Sequence, residues 1–276
     1  MIITDNPVIT ENDQKLYQYL SEQQRYLSEQ QRCQAAILLS GYYKSGNTWC
    51  RFLIYNYFNC LLHGAEKTLT FTELAKLQPH MLDKDYDKDF STGYPIFYRT
   101  HNAYTPVFDI FSTVIYIYRN PMDTLISAYH YFKDRQIPFY DFPEAERQKL
   151  EEIDYFIISQ FRAWIFHYIL TQSKAHILIN YDSAQIDPYP VFEKLLQRIS
   201  GSVNEGALEK AIDLSSFDNV KKMSIENNQQ NGMAPKAEFK GQFLRSGKSG
   251  QYNDVLKEET VATIKQLLIQ NNIAIY

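Results

Sequence analysis

The sequence predicts an α/β fold: a three-layer, P-loop-like domain in which helices flank a central parallel sheet. Three observations carry this. The apolar run Ala35 to Leu39 leads into Gly41-Tyr42-Tyr43-Lys44-Ser45-Gly46-Asn47-Thr48-Trp49, after which apolar residues recur at every third and fourth position; this is strand, tight turn and amphipathic helix. The same succession returns at residues 113–132 and 176–199, and repeated strand–helix units imply parallel strands joined by right-handed crossovers. No Pro/Gly/Ser-rich linker, internal repeat or low-complexity block interrupts the 276 residues. One domain over 1–276 is therefore expected, with variable insertions at about 65–94, 134–154 and 226–242.

In chain order, residues 11–34 read as a polar helix or arm without evident chemistry. After the first turn, Trp49, Phe52, Leu53, Tyr57, Cys60 and Leu61 form the apolar face of a helix that stops at Gly64. Thr72 is the expected N-cap of a short helix through Leu77, and the charged run Asp83 to Asp89 reads as a solvated face. Pro95 to Thr100 is a short strand with His101 just past its end. Thr113 to Tyr118 is the β-branched and aromatic run of a buried strand. Arg119-Asn120-Pro121 follows, with Pro121 suited to the first turn of a helix that carries Leu125, Ile126, Tyr129 and Phe132 on one face and Ser127 two turns in. Residues 134–154 look irregular, a lid or a surface insertion. A long helix over Tyr155 to Leu170 leads to a strand over His176 to Asn180, ending in Tyr181-Asp182. Helices are expected at Tyr189 to Ile199, at Glu205 to Ile212 and from Ser215 onward; 226–242 is the most loop-like stretch, and a final helix runs to about Gln270.

Lysine plus arginine number 28 against 32 acidic residues, a net charge of −4, which argues against a nucleic-acid partner. Any anion site must be a local concentration of positive charge. Met1 to Gln14 has neither a basic nor an apolar signal region, and no apolar run approaches the length of a membrane span; no transmembrane segment and a cytoplasmic location are expected. Cys33, Cys50 and Cys60 lack metal-ligand spacing, so no metal is expected, and the odd count fits a reducing compartment.

A glycine turn at a helix N-terminus points unpaired N–H groups and the positive end of the helix dipole at one spot, where an anion belongs. The spacing Gly41-x4-Gly46 is that of the nucleotide P-loop, but Asn47 stands where that motif has its lysine, which has moved to Lys44. A lysine on the loop should reach the first phosphate and the group leaving it rather than the outer phosphates beside Mg²⁺. Ligands of open parallel sheets bind at the C-terminal strand ends, which brings Lys44, His101 and Arg119 to one edge.

These residues resemble the sulfotransferases that use 3′-phosphoadenosine 5′-phosphosulfate (PAPS). The family's 5′-phosphosulfate loop, Y-P-K-[SA]-G-[TN]-T-W, stands here as Tyr42 to Trp49 with Tyr43 in place of Pro. Its R-N-P-x-D motif with a serine eight positions after the arginine is Arg119 to Asp123 with Ser127. Its K-T-H segment is similar to Arg99-Thr100-His101, and its F-x-R-K-G-x-x-G-D-W stretch to Phe243 through Tyr252, with Ser246 and Tyr252 departing. Asn47 and the polar stretch after Phe217 resemble bacterial members.

The resemblance implies an enzyme moving the sulfuryl group of PAPS, by in-line transfer, to a hydroxyl or amine of a small-molecule, glycan or peptide-derived acceptor, releasing 3′-phosphoadenosine 5′-phosphate (PAP) without a metal. His101 would be the general base and Lys44 would neutralise charge on the leaving phosphate, assisted by the loop residues Ser45, Gly46, Asn47 and Thr48. Arg119, Ser127, Arg245 and Gly247 would hold the 3′-phosphate, while Trp49, Tyr181 and Phe217 would border the adenine. Two alternatives are a P-loop nucleotide kinase, which predicts Mg-ATP affinity and is opposed by Asn47, and a non-catalytic PAP-binding protein, opposed by the presence of both Lys44 and His101.

Overall fold

The computed structural model describes residues 37–77, 93–95, 97–134, 144–230 and 247–274. The expected arm at 11–34, the charged run at 83–89, Cys33 and Arg245 lie outside them.

Among the described residues four short strands, rich in β-branched, aliphatic and aromatic residues, pair into one parallel sheet: β1 (Ile37–Ser40), β2 (Phe97–Thr100), β3 (Thr113–Tyr118) and β4 (Ile177–Asn180). Their order is β2-β1-β3-β4. Leu39 pairs with Arg99 on one side and Ile115 on the other, and Ile115 in turn with Ile177. The chain leaves β1 to one side for β2 and returns to the other side for β3, so the C-terminal end of β1 is a topological switch point, where such sheets bind ligands.

Alternation along β3 divides the core into two layers. Ile115 and Ile117 join the cluster of Phe52, Tyr57, Phe192, Leu195 and Leu208. These come from α1 (Asn47–His63), α7 (Pro188–Ser200) and α8 (Glu205–Leu214). Tyr116 joins the opposite cluster, with Leu125, Phe161, Trp164 and Ile264, from α3 (Pro121–Asp134), α5 (Ile153–Gln172) and α11 (Glu258–Gln270). Burial on both faces is why β1 and β3 read as nearly unbroken apolar runs. Among the described residues no helix is long and apolar enough to cross a membrane.

Several elements differ from expectation. The cap of α2 (Phe71–Leu77) is Thr70, not Thr72: the Glu73 amide donates to the Thr70 hydroxyl at 3.2 Å, and the Thr70 amide and hydroxyl donate to the Glu73 carboxylate at 2.7 and 2.8 Å. This is a capping box, whose Thr-x-x-Glu spacing selects Thr70. The stretch expected as an insertion near 65–94 contributes Leu69, Phe71 and Leu74 to the core. Likewise 144–154 is ordered as α4 (Glu144–Arg147), a 3₁₀ turn (Lys149–Glu151) and the start of α5, because Leu150 is buried among the residues of the Trp164 layer. Tyr181 and Asp182 stand at the end of β4 as expected, and an additional helix not expected there, α6 (Tyr181–Ile186), opens with them, the Asn180 side chain accepting from the Asp182 and Ser183 amides. Of the stretch expected as a loop over 226–242, Glu226 to Gln230 instead continue α9 (Phe217–Gln230), having no helix breaker, and 231–242 lie outside the described residues. The final helical region is α10 (Tyr252–Val255) followed by α11.

Candidate active site

The turn after β1 is built by its own backbone. Lys44 and Gly46 both take left-handed conformations, with φ of 67° and 102°, and the Ser45 amide donates to the Tyr42 carbonyl at 3.2 Å. Asn47, at the position of the P-loop lysine, is buried and directs its amide to the Gly41 and Tyr42 carbonyls at 3.4 and 3.2 Å. It locks the loop instead of projecting a charge. Gly41 cannot carry a Cβ, which would stand 2.7 Å from the Ile117 carbonyl; the loop thus packs against β3.

Beyond the loop lies a cavity of about 500 Å³ whose charged or titratable cationic lining residues are Lys44, His101 and Arg119. His101 is exposed, and its Nδ1 lies 2.9 Å from the Gly41 carbonyl. A carbonyl only accepts, so Nδ1 carries the proton and the neutral ring has its lone pair on Nε2. The Lys44 ammonium lies 4.6 Å over the Tyr131 ring. Tyr43, Tyr131 and Phe132 also line this end. Tyr43 stacks on Tyr42, which donates its hydroxyl to the Tyr43 hydroxyl at 2.8 Å, and burial pushes both phenols upward in pKa, keeping them neutral.

At the other end Arg119 is buried, 4.9 Å over the Tyr181 ring. Its Nη2 donates to the Lys248 carbonyl at 2.6 Å, whereas its Nε is buried without a hydrogen-bond partner, 3.7 Å from the Asp182 carboxylate. Tyr181 meets Trp49 edge-on at 5.5 Å. Two glycines bring backbone against these rings: a Cβ on Gly46 would sit 2.2 Å from Tyr181, and one on Gly247 2.7 Å from Phe217.

Lys44, Gly46, Asn47, Thr48 and Trp49 therefore line the same cavity as His101, Arg119 and Ser127, and so do Tyr181, Phe217 and Gly247. Ser45 does not; its side chain points into the loop, fully buried, and its hydroxyl finds no partner. Sequence reasoning missed Tyr131, Gln185 and Ser215, which also line it. Tyr131 could have been found from helical spacing, one turn beyond Ser127 on α3. Ser215 had no local signal: its hydroxyl accepts from the buried Asn56 amide, 159 positions earlier.

Among the described residues no group of three or more His, Cys, Asp or Glu is arranged to hold a metal ion. The residues present fit a nucleotide with anionic groups at both ends. The buried Nε of Arg119 lacks an acceptor, and the cradle between the rings would be filled by a Cβ at either glycine.

Residues 34–272 match the sulfotransferase domain family. The chain belongs to this family. Its members are enzymes of sulfuryl transfer with PAPS as donor, and this sulfotransferase shares that chemistry. It is 24% identical over 263 residues to a flavonol 3-sulfotransferase of Flaveria bidentis, covering 84% of this chain and 80% of the relative. To human sulfotransferase 2A1 it is 23% identical over 237 residues, with 79% and 77% covered. Among solved structures it is similar to retinol dehydratase in complex with androsterone and inactive cofactor PAP, at a TM-score of 0.64 and 14% identity, covering 87% of this chain and 82% of the other. Mouse sulfotransferase SULT7A1 complexed with PAP superposes with a TM-score of 0.58 at 18% identity, with 95% and 90% covered.

Proposed function

We propose that this sulfotransferase binds PAPS along the cavity, with the 3′-phosphate toward Arg119 and the sulfuryl group toward His101, and transfers it to the hydroxyl of a small aromatic molecule. The carrying observation is the 2.9 Å contact between His101 Nδ1 and the Gly41 carbonyl. It orients the ring by the very loop whose lysine faces the leaving group and fixes the basic nitrogen as Nε2.

When bound, PAPS supplies the sulfuryl group and departs as PAP. His101 Nε2 removes the acceptor hydroxyl's proton as that oxygen attacks. Lys44 and the backbone N–H groups at the start of α1 stabilise the negative charge that develops on the phosphate oxygen; Thr48, in the first turn, adds a hydroxyl donor. Arg119, Ser127 and the backbone at Gly247 hold the 3′-phosphate, a task suited to a guanidinium fork, and Arg245 is proposed to join them. Trp49, Tyr181 and Phe217 enclose the adenine. Such alignment and charge stabilisation is most of what group transfer of this kind asks of a protein.

An aromatic acceptor is favoured by the rings of Tyr43, Tyr131 and Phe132 at the His101 end, which offer stacking surfaces. Relatives named as flavonol sulfotransferases of Flaveria support the same class, and relatives named cytosolic support a cytoplasmic location. The kinase alternative loses ground because Asn47 is spent on the loop's carbonyls.

The test is His101→Ala assayed with PAPS and a phenolic acceptor panel, alongside calorimetric titration with PAP. Turnover should fall by roughly 10²-fold or more, the scale of positioned general-base catalysis, while PAP binds within a few-fold of the parent. Retained turnover would remove His101 as the base, and a parent protein that prefers Mg-ATP to PAP would remove the whole assignment.

A further inference from the structure

Two carboxylates stand beside the cavity end where a phosphate is proposed to bind, and Coulomb's law makes that placement unfavourable unless they serve another purpose. Asp123 is fully buried at the start of α3, yet it makes its contacts far away in the chain. It accepts from the Gly250 amide at 2.6 Å and the Tyr252 amide at 3.2 Å. Asp182 accepts from the Asn120 amide at 2.7 Å and from the Ser249 hydroxyl. Arg119 completes the set through the Lys248 carbonyl. Lys248, Ser249, Gly250 and Tyr252 are thereby fastened to the N-terminus of α3 and the start of α6, and Gly247, immediately before them, takes φ 64° against the Phe217 ring.

We propose that Asp123 and Asp182 are positioning residues for the 3′-phosphate: they clip the segment 247–252 so that the Gly247 backbone faces the phosphate and the Arg119 guanidinium is aimed at it. Neither acid touches the ligand; each acts through the segment it holds. The proposal rests on the donor-site reading above. It goes beyond it by giving a role to the aspartate of the Arg-Asn-Pro-x-Asp motif and to an acid 59 positions later in the chain, Asp182 following Asp123. The carboxylate form is required at position 123 because both partners are N–H donors. An asparagine has one acceptor atom and one NH₂, so one of the two contacts becomes donor against donor.

The clip predicts a ligand-selective defect. Asp123→Asn and Ser249→Ala are each titrated with PAP and with adenosine 5′-monophosphate, which shares the base and 5′-phosphate but has no 3′-phosphate. PAP affinity should fall at least tenfold in Asp123→Asn and about threefold in Ser249→Ala, with adenosine 5′-monophosphate binding within twofold of the parent in both. In turnover, KM for PAPS should rise more than kcat falls. Parallel loss of both nucleotides would overturn the proposal in favour of general structural support, as would unaltered PAP affinity in Ser249→Ala. The latter variant changes an exposed side chain, so it decides the matter if Asp123→Asn does not fold. A parent protein that binds PAP no better than adenosine 5′-monophosphate would overturn the clip together with the 3′-phosphate reading beneath it, an outcome readily told from a defect seen only in the variants.

Discussion

Replacing Gly46 by alanine tests whether the loop and the Tyr181 ring form one rigid cradle. The new methyl would stand 2.2 Å from Tyr181 Cδ2 and 2.6 Å from Cε2, whereas carbon atoms settle at about 3.5 Å or more; the ring must retreat by roughly 1.3 Å. Tyr181 is buried, with Trp49 edge-on at 5.5 Å and the Arg119 guanidinium 4.9 Å over its face. The move therefore disturbs one wall of the cavity and the guanidinium stacked on it together. Backbone strain adds to this, because φ is 102° and a left-handed residue with a Cβ costs roughly 1–2 kcal/mol. With partial loss of the cation–π contact, about 0.5–2 kcal/mol, the expected destabilisation is about 2–4 kcal/mol by urea unfolding. Calorimetric titration should show PAP affinity down by ten- to a hundred-fold, or about 1.4–2.8 kcal/mol. A variant that unfolds within about 0.5 kcal/mol of the parent and binds PAP within twofold would refute the cradle.

Tyr131→Ala should raise KM for a phenolic acceptor at least fivefold while leaving PAP affinity within threefold, since its ring faces Lys44 at the acceptor end; a larger effect on PAP than on acceptor would move Tyr131 to the donor side. Thr70→Ala should cost about 1 kcal/mol of stability through loss of the α2 capping box, and a shift under a few tenths in urea unfolding would speak against it. His167 gives a pH signature. Burial pushes this histidine down to about 4, where it stays neutral beside the Tyr116 hydroxyl at 3.1 Å. The unfolded chain takes up its proton below about pH 6.5 and the folded protein only near 4, so stability falls as pH drops through that window, by about 2–3 kcal/mol at pH 4.5. His167→Asn should flatten the difference between pH 7 and pH 4.5 by that amount; an unaltered slope would assign acid sensitivity elsewhere.

What could be read from the sequence was what is local. β3 has the bounds expected of its apolar run, Thr113 to Tyr118, and α1 stops at Gly64 in a left-handed cap. The motifs also named most residues that line the cavity, since three of them lie at the C-terminal ends of β1, β2 and β3 on the same sheet edge. Several misses have partners remote in the chain. Leu150 in an apparently irregular stretch is buried only because the Trp164 layer covers it. The Asp123 carboxylate meets the Gly250 amide 127 positions later. No periodicity in a short window reports such a pairing. The Thr70 cap is a different case, because its Thr-x-x-Glu spacing is local and legible in the sequence.

The order β2-β1-β3-β4 bears on how the chain acquires its shape during synthesis. Among the described residues the first strand in the chain occupies the interior of the sheet, and its two neighbours emerge 60 and 76 residues later, as the pairs Ile37 with Phe97 and Ile37 with Thr113 record. Such distant pairing is slow to close. The segment that meets Asp123 and Asp182 follows all four strands in the chain, so the two acids gain these partners only after every residue of the sheet has been made. On the donor-site reading proposed above, a nascent or truncated polypeptide that ends before Gly247 carries every residue of the phosphosulfate loop yet lacks the clip proposed to shape the 3′-phosphate site.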